Sequence, residues 1–488
     1  MPAHPLRILI IGAGFSGLCA AIQLKRAGFE HITLIDRGDE VGGTWRDNSY
    51  PGCACDIPSH LYSFSFDARW DWTRPYGQRA EIFAYLQHMA DKHDVRRHLR
   101  LGVEAQSSRW LEDRQLWQAA LAGGEVLEAE VLIGAIGALV KPALPKIDGL
   151  DSFAGPVFHS ARWRHDVDLG GLRVALIGTG ASAIQVAPEV AAVANHLSIF
   201  QRTAPWVLPR GDRPYSPVKR WLYRKLPGLL RLNRWRIYAL NELLTLGFLG
   251  NHRLQKLMRW AGTQHLRRRL KDAALLAKAT PDHAPGCKRI LVSDGWYPTL
   301  KRPNVALVTE PIERITPQGI VTRDGVQHAV DVVVVATGFV VTEFTALTNT
   351  QGRGGADLAA RWMQGAATHL GLVTHGFPNL FTLLGPNTGL GSNSIVFMIE
   401  AQVNYVVQAV QHLARCGGTL EVRAEVQARS YADVQRRMQG TVWVSGCKSW
   451  YQSEGGRIDT LWPGFTTAYW WRSLRFDAAD YLSLARPA

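Results

Sequence analysis

An apolar run from Arg7 to Ile11 predicts a buried strand that enters the turn Gly12-Ala-Gly14-Phe-Ser-Gly17. A helix follows and ends near Ala27 with Gly28 as its cap, and a second strand runs from Ile32 to Asp36. Strand, glycine turn, helix and strand, with an acid nineteen residues after Gly17, form the context that a dinucleotide fold requires. Each glycine has a physical task there. Gly12 permits the tight turn, Gly14 lets the backbone approach a pyrophosphate, and Gly17 lets the helix pack on the strand, so that the helix N-terminus faces the phosphates. Asp36 is expected to accept hydrogen bonds from an adenosine ribose.

The pattern returns 166 residues later as a strand from Arg173 to Ile177, the turn Gly178-Thr-Gly180-Ala-Ser182-Ala183, a helix, and a strand from Leu197 to Gln201. Nineteen residues after Ala183 stands Arg202, where the first copy has a carboxylate. A carboxylate repels a 2′-phosphate and a guanidinium matches it with a charged fork, so the second site is expected to prefer NADPH over NADH. Thr203 and Lys288 are candidates to add a hydroxyl and a point charge. Two such sites on one chain imply a flavin in the first and a nicotinamide donor in the second, because the hydride must pass between the two rings. The spacing leaves the destination of the electrons open: a disulfide, a quinone, another protein or oxygen.

Composition narrows the class. A chain of 488 residues, 47% apolar and 20% charged, predicts two or more joined globular units rather than a disordered or fibrous protein. No uninterrupted apolar stretch reaches the ~18 residues of a membrane span, and a cytoplasmic location is expected. Cys19, Cys53, Cys55, Cys287, Cys416 and Cys447 fit neither a metal spacing nor a disulfide framework, so reduced structural thiols and no metal are expected. No CxxC is present, which argues against the dithiol chemistry of disulfide reductases. The net charge of +14 is local: residues 219–271 hold fourteen Lys and Arg against one acid, Glu242. With Trp221, Trp235, Trp260 and helically spaced leucines among them, the stretch reads as basic amphipathic helices. A solvated face that attracts a polyanionic cofactor, peripheral contact with an anionic membrane, and nucleic acid compete as its role, nucleic acid last.

Further motifs carry a resemblance. The stretch Gly42-Gly43-Thr44-Trp45, then Tyr50-Pro-Gly52-Cys-Ala-Cys-Asp56, resembles the signature of type I Baeyer–Villiger monooxygenases. Phe153-x-Gly155-x3-His159-x3-Trp163 is similar to that family's linker fingerprint and Asp331-x4-Ala336-Thr-Gly-Phe339 to its third motif. Gly286-Cys-Lys288-Arg289 and Gly446-Cys-Lys-Ser-Trp450-Tyr451 resemble two more. The resemblance implies FAD and NADPH as cofactors and a ketone and O2 as substrates, with a flavin C4a-peroxide anion attacking the carbonyl to give an ester or lactone. It makes Arg289 the fixed cation beside that anion and Asp56 the carboxylate that orients Arg289. It also places Trp450 over the nicotinamide ribose and gives His159 a structural place in the linker. An arginine suits the role because it does not protonate the anion at neutral pH.

The resemblance also implies an α/β chain with two Rossmann-like folds, the second inserted in the first. The segment from Phe377 to Asn387 resembles the return strand and turn that complete the flavin site. Residues 1–141 and 341–488 then form the FAD domain, and 142–340 the NADPH domain with a helical insert at 215–275. Hinges fall near 141–152 and 339–352. Two other readings remain at this point: a flavin-containing N- or S-oxygenase, which does not need Arg289, and a membrane- or polyanion-binding protein whose flavin is not an oxygenase. Oligomeric state is left open.

Overall fold

The computed structural model describes residues 5–341, 347, 349–447, 449–453 and 455–484. Its frame is a pair of five-stranded parallel sheets that share the order of four strands and differ in where the chain adds the fifth. In the first, β1 (Ile8–Ile11), β2 (Ile32–Asp36), β3 (Leu99–Leu101) and β4 (Val131–Gly134) are joined by a late strand, Leu380–Thr382, that pairs with β4. In the second, β5 (Val157–His159), β6 (Arg173–Ile177), β7 (His196–Phe200), β8 (Val305–Val308) and β9 (Val332–Val335) lie in the order β8-β7-β6-β9-β5. With the late strand named β10, the first order is β10-β4-β1-β2-β3, so β6 stands where β1 does and β9 where β4 does. The return strand expected near Phe377 is thus β10, and the repeat in the sequence is a repeat in space.

Both faces of each sheet are covered, which is why the inner strands β1, β4 and β9 are unbroken buried runs. Ile8, Ile10 and Leu34 pack under helix α1 (Phe15–Arg26), while Leu9, Ile11, Ile35 and Leu132 pack on Trp110 and Trp117 of a small, mainly antiparallel sheet. The second sheet alternates likewise, with Val174 and Leu176 under helix α2 (Ala181–Val193) and Ala175, Ile177 and Val333 on the other side. The start of β6 and β2 and the end of α1 fall where the pattern sets them; β7 is shifted by one residue, ending at Phe200.

Two crossings link the sheets, and they run as a pair. Ala143 N donates to Gly338 O at 2.8 Å and Val340 N to Lys141 O at 2.9 Å, and the Thr337 hydroxyl donates to Ala143 O. The expected hinge at 339–352 lies partly outside the described residues, which omit 342–346 and 348. His159 ends β5 and packs its ring edge-on to Phe339 at 5.9 Å. Its Nδ1 accepts from Ala161 N at 3.0 Å, which caps a turn and fits the structural place expected for it.

The basic stretch forms four helices: α3 (Pro217–Lys225), α4 (Pro227–Phe248), α5 (His252–Arg269) and α6 (Ala273–Lys278). Local signals set their starts. Ser216, Asn251 and Asp272 accept from backbone N–H groups in the first turns of α3, α5 and α6. No helix among the described residues is long and apolar enough to cross a membrane.

The two glycine turns differ at one point. A Cβ on Gly17 would lie 1.8 Å from Gly12 O, whereas the matching residue of the second copy is Ala183, buried and accommodated. Gly17→Ala is expected to force α1 off β1 and cost about 1–3 kcal/mol, against about 1 kcal/mol for Ala183→Gly; denaturation midpoints of the two variants would check the order.

Candidate active site

The first glycine turn builds a cradle. Gly12 has φ +108°, and a Cβ there would meet Ala135 O at 2.6 Å, so only glycine turns the chain tightly enough. Gly14 and Gly43 face one another, a Cβ on Gly43 lying 3.2 Å from Gly14 Cα, and the space between them is free of side chains. Gly43, at φ +50°, caps the short helix Thr44–Asp47, whose Trp45 is buried with its indole N–H on the Tyr62 hydroxyl at 3.2 Å. The α1 N-terminus has neither a capping side chain nor an acid in its first turn, so its N–H groups are free for an anion. These features fit a dinucleotide pyrophosphate.

Asp36 is buried at the end of β2, where it has partners that no spacing in the sequence announces. Oδ2 accepts from Ala13 N at 2.8 Å; Oδ1 accepts from Gly38 N at 2.8 Å and from Arg46 Nη1 at 2.6 Å. Oδ2 keeps a lone pair for a ribose hydroxyl. Arg46 is also bonded to Asp47 at 2.7 Å; an arginine after the Trp45 motif carries no signal of its own in the sequence.

The second turn repeats the design with a different charge. Gly178 has φ +117°, with Ala336 O 2.5 Å from a Cβ, and around Gly180 a Cβ would meet nothing within 4 Å. Ser182 lies in the first turn of α2 beside the Tyr50 hydroxyl. Beyond the turn opens a cleft of about 630 Å³ lined by Arg202, Thr203 and Lys288, with Asp282, His283 and Ser445 around them. The three residues expected for a 2′-phosphate are therefore brought together from distant parts of the chain. Burial and the neighbouring Arg202 charge lower the Lys288 pKa.

Cys447 lines the same cleft and is bonded to Cys287, which corrects the expectation of six reduced thiols. The pair is 160 residues apart in sequence and no spacing rule announces it. Cys19, Cys53, Cys55 and Cys416 are free, and burial pushes the Cys53 thiol up to about 11 and the Cys55 thiol higher still, so neither is a ready nucleophile.

Asp56 and Arg289 meet between the two folds. Arg289 Nε donates to Asp56 Oδ2 at 2.8 Å, and Nη2 lies 2.6 Å from the same oxygen. The pair is partly open, with side-chain exposures of 28% and 25%. The Asp56 charge, ahead of the opposing effect of burial, holds the Arg289 pKa above its ordinary value. Each partner is fixed by backbone. Cys53 O accepts from Arg79 N and Cys55 N donates to Gly77 O, both at 2.9 Å, which holds the chain before Asp56 extended. Arg289 is set between the Cys287 bond and a short strand, Leu291–Val292, paired with Val207–Leu208.

Motif residues dock the folds. A Cβ on Gly52 would lie 2.5 Å from Gln185 O in α2, so the Tyr-Pro-Gly turn needs glycine to let that helix approach. Gln185 then takes Tyr50 OH at 3.1 Å and Ala54 N at 3.3 Å and returns a bond to Ala54 O at 2.9 Å. Arg210 adds a bond to Cys55 O at 2.9 Å. Tyr451, fully buried, sits beside Arg289; burial raises its hydroxyl pKa and the guanidinium opposes that rise. Trp450 next to it is 45% exposed with its ring 4.3 Å from Tyr451, so it lies at the surface and not in the core. Lys448 of this motif lies outside the described residues. Asn387, expected to touch the flavin, donates its amide inward to Ile458 O at 3.2 Å and Leu461 O at 3.3 Å. It ties the tail to the turn through its side-chain N–H groups. Among the described residues no cluster of His, Cys, Asp and Glu is arranged to hold a metal.

Two dinucleotide cradles meeting at a buried-edge arginine–carboxylate pair define a flavin- and nicotinamide-dependent oxidoreductase class. Comparison with known proteins resolves the class further. Residues 10–76 match the model of the NAD(P)-binding Rossmann-like domain. The chain is 43% identical to a Baeyer–Villiger monooxygenase of Pseudomonas aeruginosa over 98% of its own length and 92% of that protein. It superposes on a closed crystal structure of cyclohexanone monooxygenase with a TM-score of 0.87, at 28% identity and 99% coverage of both chains. On OTEMO in complex with FAD and NADP the TM-score is 0.88, at 28% identity, covering 98% of this chain and 99% of that one. The chain belongs to the Baeyer–Villiger monooxygenases.

Thiol titration of the denatured protein checks the covalent link: four reactive thiols before reduction and six after are expected.

Proposed function

We propose that Arg289, oriented by Asp56, is the fixed cation of an NADPH- and O2-dependent Baeyer–Villiger oxidation of ketones. A ketone, O2, NADPH and a proton give an ester or lactone, NADP+ and water. Bound FAD supplies the oxygen activation. The observation that carries the assignment is the Asp56–Arg289 pair at 2.6–2.8 Å, standing between the two nucleotide cradles.

The chain's own residues bind, orient and keep charge in place. The Gly12–Gly17 turn, Gly43, Thr44 and Trp45 hold the flavin dinucleotide, with Asp36 on its ribose. Gly178, Gly180 and Ser182 hold the pyrophosphate of NADPH, with Arg202, Thr203 and Lys288 on the 2′-phosphate and Trp450 closing over the nicotinamide ribose. Arg289 stabilises negative charge on oxygen while holding its own proton, since its pKa is raised by Asp56. Asp56 takes both Nε and Nη2 on one oxygen, which restrains the guanidinium from that side. Residues 1–141 and 341–488 form the flavin unit and 142–340 the NADPH unit. An enzyme that consumes NADPH suits the cytoplasm.

Arg289→Ala is expected to abolish ester formation while NADPH still bleaches the flavin, measured as product yield against anaerobic flavin absorbance; undiminished ester from this variant would overturn the role. Arg202→Gln is expected to raise the KM for NADPH roughly tenfold to hundredfold, the scale of one charged hydrogen bond, and to leave the KM for NADH unaltered in steady-state assays.

A further inference from the structure

Helix α4 has two apolar faces, and only one of them is used. Leu230, Ile237, Thr245 and Phe248 face inward and are buried, and Arg234 among them donates to His60 O at 2.6 Å and Ser63 O at 3.0 Å. The opposite stripe repeats at i, i+3, i+11 and i+14 as Leu229, Leu232, Leu240 and Leu243, all exposed, Leu232 at 62% and Leu243 at 53%. Trp235 flanks it at 68% exposure. On α5, which forms a hairpin with α4, Leu257 and Trp260 are exposed at 54% and 59% on the face that also carries Arg253 and Lys256. A surface helix normally turns such a stripe inward. Here it is left to solvent on both helices of the hairpin.

The charge around the stripe is of one sign. The only acid in residues 219–271, Glu242, points inward: its carboxylate accepts from Asn393 Nδ2 at 2.8 Å, Thr466 N at 3.0 Å and Thr467 Oγ1 at 3.1 Å. Of the fourteen cations in the stretch, Arg234 alone forms an ion pair among the described residues, with Glu400 at 3.8 Å. The outward surface thus offers leucines and tryptophans beside cations that no carboxylate neutralises. We propose that the α4–α5 hairpin is a docking surface for an anionic phospholipid bilayer, its leucine and tryptophan side chains entering the acyl boundary and its cations meeting the headgroup phosphates. Charge complementarity selects this occupant. A second copy of the chain would oppose like charges, and a nucleic acid offers phosphates to the cations and nothing apolar to the leucines. The proposal is independent of the reaction assigned above.

Flotation of the FAD-loaded enzyme with phosphatidylcholine vesicles, with and without phosphatidylglycerol, tests it. Binding to the anionic vesicles alone at low salt, lost at high salt, is expected. Arg253→Glu and Lys256→Glu should each lower partitioning about fivefold or more, and Leu232→Ser with Trp235→Ser should abolish it at an unchanged melting temperature. For the unaltered enzyme, vesicles containing brominated phosphatidylcholine should quench tryptophan fluorescence, a readout that needs no variant to fold. Absence of flotation at low salt would overturn the proposal. So would retained binding by the Leu232 and Trp235 variant or equal competition by duplex DNA, which would mark a simple polyanion site. A dimer in sedimentation velocity that dissociates on Leu232→Ser would overturn it in favour of a second copy.

Discussion

A guanidinium keeps its proton at any pH the fold survives, and the architecture places one such permanent charge on a carboxylate of the first fold's Tyr50–Asp56 segment. Asp56 makes that placement definite. It lies 233 residues from Arg289 in sequence, so the pair exists only when both Rossmann-like folds are formed and docked. A single carboxylate oxygen engages the fork from one side, which restrains the side chain without cancelling its outward field.

Docking is therefore part of the chemistry. Gly52 lets α2 come against the Tyr50 turn, Gln185 clasps that turn with three hydrogen bonds, and Arg210 holds Cys55 next to Asp56. None of these residues needs to touch substrate. Their combined effect is to hold the segment that carries Asp56 against α2 of the second fold. The basic insert contributes through its inner face: Tyr238 OH meets Thr466 Oγ1 at 2.9 Å and Thr245 meets Ser392 at 2.8 Å, so α4 braces loops that close the other side of the molecule.

What the sequence disclosed was local. The glycine turns, the strands and the charge at position 202 are legible because each is a short-range requirement of backbone geometry or of phosphate binding. Gly12 and Gly178 need positive φ, and Arg202 sits at a fixed offset from its turn. The family motifs added Asp56 and Arg289, whose contact no spacing announces. The Cys287–Cys447 bond, the Arg46 clamp on Asp36 and the inward turn of the Asn387 amide were not legible, since each depends on which distant segment happens to pass nearby. Arg46 in particular sits where a residue type has no fixed meaning until Asp36 is seen 2.6 Å away. The insert read correctly as amphipathic helices, yet its second apolar stripe shows only once the buried side is known.

The paired crossings between the sheets have a mechanical consequence. Two strands bonded to each other at Ala143–Gly338 and Lys141–Val340 behave as one ribbon with two pins, because neither can lengthen without breaking the other's bonds. The Phe339 ring packed edge-on against His159 seats the ribbon on the end of β5, so the joint between the halves is itself held to the second sheet.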